Sequence, residues 1–337
     1  MRRRLAGVGV FLAAVAAVAV VVVVSLHLHP FGARATTAPA RTTGPTGPTG
    51  ATSRPAAPSI TVASLGLLAA PASRIAAAPF GTDGALLMGG YDSAGSPTNT
   101  LSSFAVSAVT SAGTLPGPEA SGVAAMLNGS VYLFGGETST IYALSGASFT
   151  VAGSLPVATA DAAIATVGNT AYVIGGYTGA SELNTIVAFT PGAAAMTVAT
   201  LPVTLRYAAA ASYGGEVYII GGATAGVPTA TVYRFDPATA TVAPFATMPY
   251  ARDREAAATL GGRIFVIGGE NAAGARTRAI YTLGPSRGIV RLVGILPRAL
   301  ADAVAVPAAG GIIVAGGTDH SGAPVATIYA LKVGSGS

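Results

Sequence analysis

Arg252-Asp253-Arg254-Glu255 is the densest charge cluster in a chain whose charged residues make up only 9% of the total. An arginine fork can hold a carboxylate through two parallel hydrogen bonds, and a glutamate beside such forks can trade a proton with a bound substrate. Arg206-Tyr207 and Glu270-Asn271 offer the same chemistry elsewhere in the chain. The candidate ligand-binding residues are therefore Arg206, Tyr207, Arg252, Arg254, Glu270 and Asn271, which Arg276 and Arg278 could join. Glu255 and Glu270 are the candidates for acid/base work. The competing reading of the cluster is ion pairing between neighbouring structural units.

Other chemistries drop out on composition. Cysteine is absent, which removes disulfides, thiolate metal sites and cysteine nucleophiles. Of the three histidines, His27 and His29 lie near the start, so any triad would depend on His320, and no metal site is expected. No glycine-rich phosphate loop occurs, and no cofactor is expected. The net charge of +5 divides unevenly: residues 1–58 hold six arginines and no acid (+6), whereas the remainder holds 12 basic and 13 acidic side chains (−1). The larger part thus has no electrostatic footprint for nucleic acid.

The candidates are positioned by a repeat. A run of β-branched or aromatic residues closed by two glycines occurs six times, at Gly89-Gly90, Gly135-Gly136, Gly175-Gly176, Gly221-Gly222, Gly268-Gly269 and Gly316-Gly317. The interval between successive pairs is nearly constant and matches the length of a propeller repeat. Leu115-Pro116, Leu155-Pro156, Leu201-Pro202, Met248-Pro249 and Leu296-Pro297 all keep one offset from the next glycine pair: 115 to 135, 155 to 175, 201 to 221, 248 to 268 and 296 to 316. Two markers in one register establish a period.

Each repeat has four strand-like parts. A small-residue segment follows the Leu-Pro (Ala160–Thr166, Arg206–Ser212, Glu255–Leu260, Ala301–Val306). A tight turn such as Asp83-Gly84 or Asn128-Gly129 leads to the Gly-Gly strand. A third strand alternates apolar and aromatic residues, as in Ile186-Val187-Ala188-Phe189, and a weaker fourth (Thr241–Thr247) leads to the next Leu-Pro. Four antiparallel strands per repeat, six times over, predict an all-β, six-bladed propeller. Only small side chains fit around its axis, where Ala208–Ala211 and Ala256–Ala258 belong. After Gly317 the chain supplies a third strand and no fourth, so Ile60–Leu65 is expected to complete the last blade. In this topology the loops before first strands and those after second strands open on one face. They bring Arg74, Glu119, Asp161, Arg206, Tyr207, Arg252–Glu255, Arg298 and Asp302 together with Tyr91, Asp92, Glu137, Tyr177, Glu270, Asn271, Asp319 and His320.

The glycine pair after an apolar strand, the tyrosine that follows it (Gly136 to Tyr142) and Met248-Pro249-x-x-Arg252 resemble kelch repeats over residues 60–333; a bacterial, membrane-anchored and extracytoplasmic member of that family is expected. The usual tryptophan near the fourth strand is replaced by Phe149, Val242 and Val290. The resemblance implies a module that binds a protein or cell-surface glycan through its loops. Galactose-oxidase-like propellers are similar in repeat, but the cysteine and histidines of their copper site are missing. The alternative implied by resemblance to bacterial sialic-acid epimerases is a sugar mutarotase or epimerase using the Arg/Glu cluster.

Three segments precede or make up this domain. Leu5–Val24 is an unbroken apolar run behind Arg2-Arg3-Arg4. It matches the roughly 20 apolar residues that a bilayer-crossing helix needs, and the arginines keep its start inside. Residues 1–29 are expected to be a cytoplasmic start and anchor, residues 30–58 a disordered Pro/Thr/Gly/Ala-rich linker, and 59–337 the propeller. The expected location is the outside of the cytoplasmic membrane by a single pass. If the run is a cleaved signal instead, Ala33-Arg34-Ala35 is the site, and the domain is secreted.

Overall fold

The computed structural model describes residues 59–334 apart from 106, 107, 147 and 309. The apolar run 5–24 and the linker 30–58 lie outside the described residues. Every regular element described is a strand, and no described helix is long and apolar enough to cross a membrane.

The described chain opens with β1 (Ile60–Ala72). The next four strands, β2 (Ala76–Phe80), β3 (Gly84–Met88), β4 (Thr98–Ala105) and β5 (Ala108–Glu119), form an antiparallel sheet in sequence order. The pattern repeats in β6 (Gly122–Leu127), β7 (Ser130–Gly135), β8 (Thr138–Ser145) and β9 (Ser148–Thr159). A third such sheet holds β10 (Ala163–Val167), β11 (Thr170–Ile174), β12 (Thr185–Phe189) and β13 (Met196–Thr200).

A fourth sheet has eight strands: β14 (Ala209–Tyr213), β15 (Glu216–Ile220), β16 (Ala223–Thr224), β17 (Val227–Asp236), β18 (Thr241–Leu260), β19 (Arg263–Glu270), β20 (Thr277–Gly284) and β21 (Ile289–Leu300). Its length comes from the long β18, which pairs β17 over Thr241–Arg252 and β19 over Asp253–Leu260. The last sheet contains β22 (Val304–Ala308), β23 (Gly311–Ala315) and β24 (Val325–Val333), with β1 outermost. As expected, the N-terminal strand completes the final repeat: Ile60 lies opposite Val333, and Thr61 opposite Lys332.

The sheets stand around a common axis. The inner strands β2, β6, β10, β14, the second half of β18, and β22 each touch the next, and β22 touches β2. Their alanines allow this close approach. Apolar side chains from successive sheets fill the gaps between them. Among the described residues Leu86 and Met88 pack against Val131 and Leu133, and Phe134 and Ile141 against Val173 and Phe189. Tyr172 and Ile174 meet Val217 and Phe235, and Tyr218 and Ile220 meet Ile264 and Leu283. Phe265 and Ile280 meet Ile312 and Tyr329, and Ile313 and Ile328 close the circle against Leu87 and Phe104. Burying each such side chain contributes about 1.5–3 kcal/mol, so the gaps between sheets are the core. Every core cluster and the closing strand belong to the compact unit Pro55–Ser337, which is self-contained on these grounds.

The inner strands begin later than the sequence pattern predicts: β10 starts at Ala163 rather than Ala160, and β14 at Ala209 rather than Arg206. Asp161 and Tyr207 adopt left-handed backbone just before them, which interrupts the ladder and leaves Ala160 and Arg206 in isolated bridges to Tyr177 and Ala223. The glycine pairs end the second strands. Gly175 has φ +60°, and a Cβ there would overlap the carbonyl oxygen of Leu205, just past β13, so neither the turn nor the contact tolerates a side chain.

Candidate functional site

At the end of the axial channel where inner strands begin, Arg74, Ser121, Asp161, Tyr207, Arg254 and Asp302 share a left-handed backbone with φ between 50° and 61°. Non-glycine residues pay on the order of 1 kcal/mol or more for this conformation. Here it lets the peptides bond head to tail. The amide of Arg74 donates to the Asp302 carbonyl, Ser121 to Arg74, Asp161 to Ser121, Tyr207 to Asp161, Arg254 to Tyr207 and Asp302 to Arg254, at 2.9–3.1 Å. The circle closes on itself and fixes six side chains around one mouth.

The Ser121 hydroxyl is buried without a hydrogen-bond partner, and the other five side chains are engaged by charged or aromatic neighbours. Asp302 accepts from Arg74 Nε at 3.2 Å and from a terminal nitrogen of Arg254 at 3.0 Å. Asp161 accepts from Arg206 at 2.9 Å and Arg74 at 3.4 Å. Glu270 lies 3.0 Å from both Arg254 and Arg276. The Tyr207 ring is surrounded by guanidinium carbons of Arg254 at 3.7 Å, Arg206 at 4.1 Å and Arg74 at 4.9 Å from its centroid, and its hydroxyl accepts from Arg206. Arg206 also covers Tyr177 at 4.4 Å, and Tyr91 donates to Glu137 at 3.1 Å. These contacts confirm that loops before first strands and loops after second strands meet on one face.

Four arginines (74, 206, 254 and 276) stand among four acids (Asp161, Asp253, Glu270 and Asp302), so the network carries no formal excess charge if all ionise. Burial pushes Asp253 up to about 6; Arg254 opposes this, and Glu270 and Asp302 add to it. Burial works against the charge of Arg254, but Asp302, Tyr207 and Glu270 hold its pKa well above the ordinary value.

Beneath the mouth the channel is lined chiefly by alanines. A cavity of about 140 Å³ touches Arg74, Ser121, Asp161, Tyr207 and Asp302, and one of about 220 Å³ opens at the far end between Pro79, Met126, Ser212, Thr259 and Pro307. The larger space is the far mouth, away from the charged groups. Two glutamates sit against the glycine pairs. Glu255, only 7% exposed, approaches Gly221 and Gly269; its Oε2 has no hydrogen-bond partner. Burial pushes it up to about 8, opposed by Arg252 and assisted by Asp253. Glu119 lies over Gly136 and is likewise pushed up to about 8 by burial and then by Glu137.

Of the residues chosen from sequence, the mouth unites Arg206, Tyr207, Arg254 and Glu270. Arg252 makes no ion pair among the described residues; it lies 5.5 Å from the Tyr250 ring, with its Nε buried and unpartnered. Asn271 accepts from the amides of Ala273 and Ala275 and shapes its own loop, as Asp92 does for Ala94 and Ser96. Arg278 donates to the Leu296 carbonyl at 2.6 Å and stays outside the network. Arg74, Asp161 and Asp302 stood on the same loops but outside the chosen set. Their signal was register: the circle positions 74, 121, 161, 207, 254 and 302 advance nearly in step with the glycine pairs at 89, 135, 175, 221, 268 and 316.

A ring of antiparallel sheets with a paired-glycine stop in every repeat defines a β-propeller. The KLHDC2/KLHL20/DRC7 Kelch-repeats domain matches residues 75–269, more than half of the chain, and the chain belongs to the kelch-repeat family. A solved structure described as "Structure of YjhT" is similar, with a TM-score of 0.69 and 16% identity, covering 79% of this chain and 96% of that one. That identity speaks for the fold alone. No curated protein matches the sequence.

Proposed function

We propose that this chain is a membrane-tethered, extracytoplasmic six-bladed kelch propeller that binds a protein through the loops around its charged mouth. The observation that carries the binding reading is the filled mouth. Asp161, Asp302 and Glu270 engage Arg74, Arg206, Arg254 and Arg276, so these four forks are already committed to carboxylates of the chain itself. Apolar side chains stand exposed outside this network on the strand segments that adjoin the mouth loops: Tyr250 (61%) in β18, Val227 (63%) at the start of β17 and Val157 near the end of β9. A charged, rigid centre with exposed aromatic and aliphatic groups at its rim suits a protein surface better than a small polar ligand.

The six-blade count rests on the six-membered hydrogen-bond circle and on the two separate pairings of β18, which make the eight-stranded sheet two blades joined by one continuous strand. The tether rests on the apolar run 5–24 behind three arginines, and a glycan is the second class of partner. The epimerase alternative needs Glu255 and Glu270 as a working pair. Glu270 is held between two arginines and Glu255 is buried, so the geometry does not favour it.

Thermal shifts of the compact unit 55–337 with neutral and acidic sugars separate these readings. The binding-module reading predicts no stabilisation. A saturating sugar would add about 2.7 kcal/mol at a hundred times its dissociation constant; such a shift, lost in Arg206→Ala, would favour the carbohydrate reading.

A further inference from the structure

The end of the propeller opposite the charged mouth carries a second, differently built surface. In the repeats formed by β18–β21 and β22–β24, every described acidic side chain lies toward the mouth: Asp253, Glu255, Glu270, Asp302 and Asp319. The far end of the same repeats carries only cations. Arg263 follows the β18–β19 turn, Arg287 is exposed in the β20–β21 turn, Arg291 is the third residue of β21, and Lys332 is exposed next to the end of β24. Other far-end turns and strand ends hold Asp83, Glu216 and Asp236, with Arg234 paired to Glu216 at 3.3 Å. The basic sector is thus confined to these two repeats.

Exposed apolar side chains accompany it. Along the outer strand β21, Ile289, Leu292 (57%) and Ile295 (55%) all face solvent, whereas β9 exposes two large apolar residues, Val151 and Val157, and β13 one, Met196. Val333 at the end of β24 is also exposed. Gly294 of β21 approaches Ile60 of β1, so the two outer strands are neighbours. This is also where the chain enters the domain: Gly334 donates to the Ser59 carbonyl, and Ile60 pairs with Val333 at the far end. The sequence before Ser59, which includes the apolar run 5–24, leads to this corner.

We infer that this corner docks on the surface of an anionic lipid bilayer, seating the propeller with its charged mouth turned away from the membrane. Cations beside an anionic surface attract it, and exposed aliphatic side chains enter the headgroup boundary. The inference deepens the tether reading and rests on it for proximity to a membrane; the charge segregation stands independently of it.

The test uses the unit 55–337, which lacks the apolar run, in co-sedimentation with vesicles of phosphatidylcholine alone or mixed equally with phosphatidylglycerol. Binding is expected only to the mixed vesicles and should weaken as salt rises. Each cation near an anionic surface is worth roughly a fivefold change in partitioning, so Arg287→Ala/Lys332→Ala should weaken binding on the order of 25-fold. Both residues are exposed, and an unchanged circular dichroism spectrum verifies the fold. Leu292→Ser/Ile295→Ser should weaken binding without changing its salt dependence. Equal binding to both vesicles, no binding to either, or indifference to Arg287→Ala/Lys332→Ala would overturn the proposal; so would equal capture of soluble acidic polymers such as heparin or RNA. Whether the full chain resists alkaline extraction from membranes tests the tether separately, so the two can fail independently.

Discussion

Asp302→Ala is the most informative single perturbation of the mouth. The carboxylate is 9% exposed and serves two guanidinium groups, Arg74 at 3.2 Å and Arg254 at 3.0 Å. Removing one partner of a buried pair costs about 3–5 kcal/mol, because the remaining charge is left uncompensated. The cost is reduced here: the Arg74 side chain is 26% exposed and keeps Asp161, while Arg254 keeps Glu270. The expected loss is about 2–4 kcal/mol after discounting for solvent and the remaining partners. At roughly 2–4 °C per kcal/mol for a domain of this size, Tm should fall by about 5–15 °C. Asp302→Asn should lose less, since the amide oxygen still accepts a hydrogen bond. The assay is chemical denaturation of unit 55–337, with calorimetry for Tm. A Tm within about 2 °C of the parent would refute the claim that the arginines are held by buried partners.

Other consequences are as direct. Glu119 and Glu255 titrate near 8 when folded against 4.5 ordinarily, so between those values the folded protein binds more protons than the unfolded chain and stability falls as pH rises. The slope is at most about 1.4 kcal/mol per pH unit for each group, and Glu255→Gln should flatten it and raise stability near the upper end; urea midpoints across the interval read this out. Gly175→Ala places a Cβ against the Leu205 carbonyl at φ +60°, with a loss on the order of 2–4 kcal/mol in denaturant unfolding. Deleting residues 59–72 exposes the edge of β24 and removes Ile60, Val62, Leu65 and Leu68 from their packing; gel filtration and thermal melts should show aggregation or loss of the cooperative transition.

The repeat was legible because its markers are chemical necessities. A glycine pair is required where the second strand ends against a neighbouring carbonyl, and alanines where inner strands crowd the axis. The closing role of β1 followed from counting strands after Gly317. The mouth was legible in part. Arg206, Tyr207, Arg254 and Glu270 stood out as charged or aromatic loop residues, but the circle that orders them is made by peptide groups in left-handed conformations, which side-chain identity does not announce at Arg74 or Tyr207. Arg252 shows the converse limit. It belongs to the densest charge cluster, yet it lies just before the circle position Arg254 and outside the ion-pair network. Asn271 looked like a ligand residue, but its oxygen is used by the backbone of its own loop.

The central claim is that partners meet the loops around the charged mouth. Photo-crosslinking residues placed singly at Tyr250 on the mouth face and at Asp236 on the opposite end, in the full-length protein in cells, test it most directly. The account predicts a discrete protein adduct from position 250 that is lost on Val227→Asp, and none from position 236. Adducts from position 236 with none from position 250 would contradict it.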